Sequence, residues 1–175
     1  MKFLMTFITL LFVTATNSHA IIDSMQLRGQ GNVYYLGFIK VYDASLLTKN
    51  DINSVNILDP QISKCLKLEY DVSLTSENFR EGANTVLGRQ HSAERLSALK
   101  NEIATLHSAY QPVQEGDSYL LCYNGDSATT TLTLNGDDLV SITSQEFSSL
   151  YFGIWLSPDK PIDKKLQSDL LARKN

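Results

Sequence analysis

Apolar and polar residues alternate along several short segments of the chain, a pattern typical of half-buried β-strands. The clearest is segment 64–74, where residues such as Leu66 and Leu68 occupy one face and charged residues occupy the other. Residues 25–49 are rich in aromatic and β-branched side chains, with Gly37 as an expected bulge or tight bend. Because side chains in a strand share a face at every second residue, both regions predict β-structure.

The period of the apolar positions changes to a helical one after Thr75. Apolar residues three and four apart predict a first helix, with Gly88 as its expected C-cap. Ser92 is the expected N-cap of a second helix, whose single apolar stripe continues to Tyr110. We expect this stripe to face the core of the domain.

The pattern returns to strands after Pro112. Three alternating segments are joined by two Asn-Gly turns, at residues 124–125 and 135–136. Asn-Gly tolerates the positive φ angles of tight hairpins, so these segments predict a three-stranded meander. Two more amphipathic helices are predicted around Trp155 and Leu166. The expected order βββααβββαα indicates an α+β fold, an antiparallel sheet with a layer of helices on one face.

The first 20 residues have the three-part layout of a secretory signal peptide. Lys2 precedes an apolar run over residues 3–13, and small residues stand at the two positions that a signal peptidase reads. The run is too short to span a bilayer, and the alternatives are a membrane anchor or a buried N-terminal strand. We predict a signal peptide over residues 1–20 and a single domain over residues 21–175. This implies secretion across the inner membrane and a periplasmic location.

Composition narrows the classes of partner. The formal net charge is −4 and the chain has no concentrated basic run, which argues against nucleic acid or anionic lipid as the main partner. No second apolar stretch is long enough to cross a membrane. His91 and His107 lack metal-ligand spacing, and we expect both at the surface or on helix flanks. We therefore predict no metal and no cofactor, and the sequence identifies no protein partner.

The chain contains two cysteines, Cys65 and Cys122. In an oxidising compartment they predict one disulfide, which would stabilise the fold by about 3 to 4 kcal/mol in the chain-entropy model. The alternative is two unpaired cysteines that pack as small apolar side chains.

Several segments together carry a resemblance to a known family. They are residues 29–31 (GQG), 37–47 (GFIKVYDASLL), 66–73 (LKLEYDVS), 116–121 (GDSYLL), 132–136 (LTLNG) and 147–156 (FSSLYFGIWL). Over residues 25–171 the chain resembles the chalcone isomerase-like family, in particular its secreted bacterial branch. The resemblance implies an open, strongly curved antiparallel sheet with helices on one side. The family includes plant flavonoid isomerases, plant fatty-acid-binding proteins and bacterial proteins largely without an assigned activity.

The resemblance also implies where the catalytic arginine of the plant isomerases would fall. That position lies at or near Gln30 or Asn32, and neither side chain is a cation. The nearest arginine is Arg28, which a bulge in the strand would bring into play. A ring-closing reaction needs a fixed cation and hydrogen-bond donors for the developing charge, so the replacement removes several kcal/mol of stabilisation.

The other catalytic positions implied by the resemblance are also altered. The family's threonine falls near Tyr42, its tyrosine near Phe79, and its asparagine near Val86, with Asn84 as a neighbour. Only Tyr42 keeps a hydroxyl, and Phe79 cannot donate a hydrogen bond. We therefore predict that the protein is not an enzyme.

Three functional hypotheses follow. The first is an exported, non-enzymatic protein that binds a small apolar or amphiphilic, fatty-acid-like ligand between sheet and helices. Its candidate ligand-binding residues are Arg28, as a grip for a carboxylate, and Asn32, Tyr34, Tyr42, Phe79 and Asn84. The second is a periplasmic structural or interaction protein, with the helix before Trp155 as its contact surface if that side chain is exposed. The third is an intramolecular lyase (isomerase).

Overall fold

A computed structural model describes residues 24–49 and 56–172. Within these ranges the strands are β1 (Gln26–Tyr35), β2 (Ile39–Thr48), β3 (Lys64–Tyr70), β4 (Ser118–Asn124), β5 (Thr129–Leu134) and β6 (Asp137–Thr143). The helices are α1 (Ser76–Gln90), α2 (Ala93–Ala98), α3 (Lys100–Ala109), α4 (Gln145–Leu156) and α5 (Lys164–Leu171). The predicted signal peptide, residues 1–20, lies outside the described residues.

The strands form one antiparallel sheet in the order β1-β2-β3-β4-β5-β6. Bulges in β1, β2 and β6 curve this open sheet, and the helices cover one of its faces. The predicted α+β fold is therefore confirmed. Among the helices of residues 24–49 and 56–172, none combines the length and the hydropathy of a membrane span.

Two details of the helix prediction are wrong. The expected second helix consists of α2 and α3, because Leu99 leaves helical geometry at φ −109° and ψ 17° between them. The sequence has neither glycine nor proline at this break, and its apolar stripe continues through it. The pattern of apolar residues therefore predicts one uninterrupted helix. Gly88 does not cap α1, since the His91 N–H bonds to the Leu87 carbonyl and the helix continues through the glycine to Gln90.

The core lies between the helical layer and one face of the sheet. α4 is the most buried helix, with nine of its 12 residues inside. Trp155 is only 8% exposed, so the condition for a contact surface on this helix is not met. The interaction hypothesis is therefore wrong for α4, which instead forms the centre of the core.

The opposite face of the sheet carries the disulfide. Cys65 of β3 and Cys122 of β4 are direct partners in the antiparallel ladder, and their sulfur atoms are bonded. Both cysteines are buried beside Met25, with Leu47 and Leu120 packed around them. The predicted bridge is confirmed, and it joins two strands that are far apart in sequence.

The last helix docks on β1 at two glycines. A Cβ atom at Gly29 would overlap the carbonyl oxygens of Asp169 and Leu170, so only a glycine lets the helix backbone approach this closely. At Gly31 an added Cβ would lie 2.9 Å from Leu166 Cδ1. The GQG segment therefore fixes the position of α5 on the sheet.

Candidate functional site

An apolar pocket of about 150 Å³ lies between the sheet and α1. Its walls come from β2, β3, β4, β5, α1, α4 and the segments that flank them: Tyr42, Leu66, Leu68, Tyr70, Leu74, Asn78, Phe79, Gly82, Ala83, Tyr110, Tyr119, Leu121, Leu132, Ile154, Trp155 and Ile162. Asn78 and Gly82 are the exposed lining residues, so the mouth lies beside the first half of α1. This volume is half the lower end of the range for drug-sized ligands, and it is large enough for a single ring.

Aromatic rings form the inner wall of the pocket. The Tyr70 ring meets the rings of Tyr42, Phe79 and Tyr119 edge-on, at centroid distances of 5.8, 5.4 and 6.0 Å. Phe79 also stacks on Tyr110 at 5.2 Å. Such contacts fix ring orientation, so the pocket has rigid apolar walls that bear a few phenolic hydroxyls.

Two of these hydroxyls already have protein partners. Tyr42 Oη accepts a hydrogen bond from Trp155 Nε1 at 3.2 Å. Tyr119 Oη donates to the Gln111 carbonyl and accepts from the Gln111 N–H, both at 2.8 Å. These bonds satisfy both the donor and the acceptor of the Tyr119 hydroxyl, and they hold the two rings in place.

Tyr70 differs from its neighbours. Its hydroxyl makes no hydrogen bond with any residue in the described part of the chain, although the residue is 4% exposed and lines the pocket. Burial raises the pKa of the Tyr70 phenol well above its usual value, so the group is neutral and can donate a hydrogen bond. Among the four tyrosines of the pocket lining, Tyr70 is the one whose hydroxyl has no hydrogen-bond partner within the described ranges.

A chain of hydrogen bonds runs from the pocket wall into the helical layer. Tyr110 Oη lies 2.7 Å from Tyr151 Oη, which lies 3.1 Å from His107 Nε2. His107 is 7% exposed, so its predicted surface position is wrong. Burial lowers the pKa of His107, and the neutral imidazole orders Tyr151 and Tyr110. His107 lies on the inner side of α3 together with Leu106, and these two are the buried residues of that helix.

The fold and the sequence agree on a relationship to known proteins. A profile described as chalcone isomerase-like matches residues 14–172. The chain belongs to the chalcone isomerase-like family. Among solved structures, it is similar to a fatty-acid binding protein of Arabidopsis thaliana, with a TM-score of 0.64 and 16% sequence identity. The match covers 85% of this chain and 87% of the plant protein. None of the curated proteins compared with the chain matches it.

Two of the six candidate ligand-binding residues line the pocket of this chalcone isomerase-like fold. Tyr42 and Phe79 are both part of its aromatic wall. Sequence reasoning missed Tyr70, Tyr110 and Tyr119, which it treated as strand or helix residues of the core. Tyr70 was visible in the alternation of β3, but nothing in the sequence distinguishes a hydroxyl that faces a cavity from one with a protein partner.

The other four candidates are not among the residues that line this pocket. Arg28 is at the bulge of β1, which interrupts the register as expected but does not bring the side chain into the pocket wall. Asn32 lies in a separate polar cleft together with Asp43 and Asp169. Tyr34 is 48% exposed at the end of the β1–β2 hairpin. Asn84 borders a separate surface groove beside His107.

A buried lysine lies elsewhere in the core of this chalcone isomerase-like domain. Lys64 is fully buried, with its Nζ 4.8 Å from the centre of the Tyr123 ring and 5.5 Å from that of Phe152. The ammonium donates hydrogen bonds to the carbonyls of Ile62 and Asp59, at 3.0 and 3.3 Å. Burial lowers the pKa of Lys64 to about 8, against a smaller opposing effect of Asp59.

This lysine predicts an unusual dependence of stability on pH. Below pH 8 both folded and unfolded chains hold the proton, so folding bears the full cost of burying the ammonium. Between pH 8 and 10 the unfolded chain binds more protons than the folded one, and the free energy of unfolding should rise by about 2 kcal/mol. Above pH 10 the rise should reverse, because burial also raises the pKa of Tyr42 and Tyr70.

Urea unfolding at several pH values measures this effect. Lys64→Met keeps an unbranched side chain of similar length without the charge, and it should abolish the rise. Lys67→Met removes an exposed lysine from the same strand and should leave the rise intact. An equal rise in both variants would show that another group causes it.

Proposed function

We propose that this protein is a non-enzymatic carrier of a small, neutral, apolar molecule, held in the pocket between the sheet and α1. The observation that carries the proposal is an apolar cavity with a hydroxyl, that of Tyr70, left without a partner among the described residues. A ligand with an apolar body and one hydrogen-bond acceptor would bury its body against the rings and accept a bond from Tyr70.

The charge of the pocket favours a neutral ligand. Its lining, drawn from the two described ranges, includes no arginine, lysine or histidine. A carboxylate would therefore enter without an ionic partner, and an unpaired buried charge is strongly disfavoured. The proposed carboxylate grip of Arg28 is not supported by this geometry. The same lack of a cation gives no stabilisation to the enolate of a ring-closing reaction, which supports a carrier over an isomerase.

The size of the pocket restricts the ligand further. A cavity of about 150 Å³ accepts a single ring or a short alkyl chain. The similar plant structure is of a fatty-acid binding protein, which supports a role in binding apolar molecules. For this chain we propose a smaller ligand of the size of a monocyclic aromatic ketone.

The location of the protein is part of the same proposal. A signal peptide over residues 1–20 would export a domain of residues 21–175 to the periplasm, as in the secreted bacterial branch of the family. The Cys65–Cys122 bond supports this location, because structural disulfides persist in oxidising compartments.

A titration with acetophenone tests the ligand class. Trp155 is the only tryptophan of the chain and it lines the pocket, so its fluorescence reports occupancy. We expect acetophenone to change the Trp155 emission with saturation, and benzoate to bind at least about tenfold more weakly. Tyr70→Phe should weaken acetophenone binding about fivefold, the value of one hydrogen bond. Equal binding of the two probes would contradict the proposal.

A pair of glycine variants tests the position of the site. A Cβ atom at Gly82 or at Gly88 would meet open space, and both glycines are exposed on α1. Gly82→Phe should close the mouth and weaken binding by about tenfold or more, because a ring would occupy the entrance. Gly88→Phe places the same ring outside the lining and should leave binding unchanged. Equal affinities in the two variants would exclude this pocket as the site.

A further inference from the structure

The end of the β1–β2 hairpin exposes a continuous set of large apolar side chains. We call residues 34–39 the hairpin tip. Tyr35, Leu36 and Phe38 are 62%, 69% and 73% exposed, and Tyr34 and Ile39 are 48% and 39% exposed. Large apolar patches of this kind on a monomer usually mark an interaction surface.

The turn of the hairpin tip holds a leucine in a backbone conformation that this residue type disfavours. Leu36 and Gly37 occupy the two central positions of the turn at φ 51° and 80°, and the Phe38 N–H bonds to the Tyr35 carbonyl at 3.4 Å. A bulky residue rarely adopts a positive φ. The β5–β6 turn has nearly the same angles with Asn135 and Gly136, the residues that suit them. Leu36 is therefore unfavourable on two counts, because its apolar side chain is exposed to water and its backbone has a positive φ.

The tip projects beyond the rest of the sheet. β3 pairs with β2 only as far as the Tyr42–Tyr70 pair, so residues 34–39 have no neighbouring strand beyond their own hairpin. The same pair of tyrosines lines the apolar pocket, and α1 starts six residues after Tyr70 with Asn78 at the pocket mouth. The tip and the mouth therefore lie at the same end of the molecule.

The area and shape of the tip distinguish between occupants. Its five apolar side chains expose roughly 600 Å², which is below the roughly 800 Å² per partner of a standard protein interface. A convex loop of tyrosine, leucine and phenylalanine suits the headgroup region of a bilayer, where amphipathic aromatic rings are favoured.

The lysines at the base of the tip are all paired with aspartates. Lys40 bonds to Asp43 at 2.7 Å and to Asp71 at 3.2 Å, and Lys165, which lies close to Tyr34, bonds to Asp169 at 2.6 Å. Two lysines against three aspartates give this base no attraction for an anionic surface, in line with the net charge of −4. The tip therefore fits an uncharged lipid surface and would enter it by apolar insertion.

We propose that the hairpin tip inserts into the surface of a zwitterionic lipid bilayer and holds the pocket mouth next to the membrane. This step does not depend on the identity of the pocket ligand, because the tip shares no residue with the pocket lining. The two proposals can therefore fail separately.

Vesicles of phosphatidylcholine and the full chain provide the test. Phe38→Trp places a reporter at the tip, and its emission should shift to the blue and be quenched by brominated phosphatidylcholine. Leu36→Asn/Phe38→Thr should lower partitioning into unbrominated vesicles about tenfold. This variant should remain folded, because asparagine suits the positive φ of the turn. Leu27→Ser removes a side chain of β1 that is 41% exposed outside the tip, and it should partition like the unaltered chain.

Four outcomes would overturn the proposal. The first is that the tryptophan at position 38 keeps its solvent-exposed emission when vesicles are added. The second is that the double variant partitions into vesicles as strongly as the unaltered chain. Alternatively, sedimentation would show self-association that the double variant abolishes, which would assign the tip to a second copy of the chain. Replacing a third of the lipid by phosphatidylglycerol should change partitioning little, and a large increase would show that charge drives binding instead.

Discussion

Loss of the disulfide in Cys65→Ala/Cys122→Ala is expected to lower the free energy of unfolding by about 4 kcal/mol. The bond joins residues 57 positions apart, so it removes a large loop entropy from the unfolded chain. It is also buried in the sheet, and its sulfur atoms pack against Met25. Urea unfolding of the unaltered and double-variant chains measures the difference.

Adding a reductant distinguishes the stability lost with the cross-link from the stability lost by removing the buried sulfur atoms. Unfolding of the unaltered chain in dithiothreitol should show most of the same loss, because both thiols remain. The double variant should be insensitive to the reagent. A difference below about 1 kcal/mol between oxidised and reduced chains would show that the bond constrains little of the unfolded ensemble.

Gly29→Ala is expected to destabilise the fold by about 3 kcal/mol. The new methyl group would overlap two backbone carbonyls of α5, which side-chain rotation cannot relieve. The helix must move away from β1, and the fully buried Leu166 and Leu170 lose part of their packing. The transition midpoint in urea, together with amide exchange in α5, measures the effect.

Two further glycines serve as controls for this substitution. Gly31→Ala should cost about 1 kcal/mol, because its closest neighbours are side chains of Leu166 and Asp169 that can shift. Gly88→Ala meets open space within α1 and should stabilise the helix by about 0.5 to 1 kcal/mol. Equal effects at Gly29 and Gly88 would contradict the close approach of α5 to β1.

The elements of the fold follow from short-range patterns in the sequence. Alternation predicted β3, and the two Asn-Gly turns predicted the meander of β4, β5 and β6. Four of the helix N-caps bond as their residue types suggest, since the side chains of Thr75, Ser92, Ser144 and Asp163 each accept from a backbone N–H. The break at Leu99 was not predictable in this way, because it depends on tertiary packing and carries no glycine or proline.

The pocket was less predictable than the fold. Tyr42 and Phe79 were found through the family resemblance, whereas Tyr70 depends on which hydroxyls find partners after folding. Arg28 is an even number of residues from Gln30 and Asn32, so a regular strand would direct all three side chains to the same face. A bulge changes the face on which the following residues lie, and the sequence does not show where the bulge falls. The sequence predicts His107 at the surface or on a helix flank, whereas its bond to Tyr151 arises only because two helices meet in the folded chain.

The hairpin tip shows a different limit of sequence patterns. Tyr34, Tyr35, Leu36 and Phe38 have the composition of a buried strand, and composition alone places such residues in the core. Their exposure follows from the length of the hairpin relative to β3, which ends at Tyr70. A pairing between strands far apart in sequence therefore decides whether these residues are buried.

The disulfide joins β3 and β4, two of the strands that supply the floor of the pocket. Residues 71–117, which include α1, α2 and α3, leave the sheet after β3 and return to it at β4. The covalent link joins the same two strands at the Cys65–Cys122 pair, four residues along β3 from the Glu69–Ser118 pair beside which the excursion begins and ends. Under the proposed carrier function, we therefore expect ligand exchange to proceed by local opening of the helical excursion over a cross-linked floor, at a free energy below that of global unfolding.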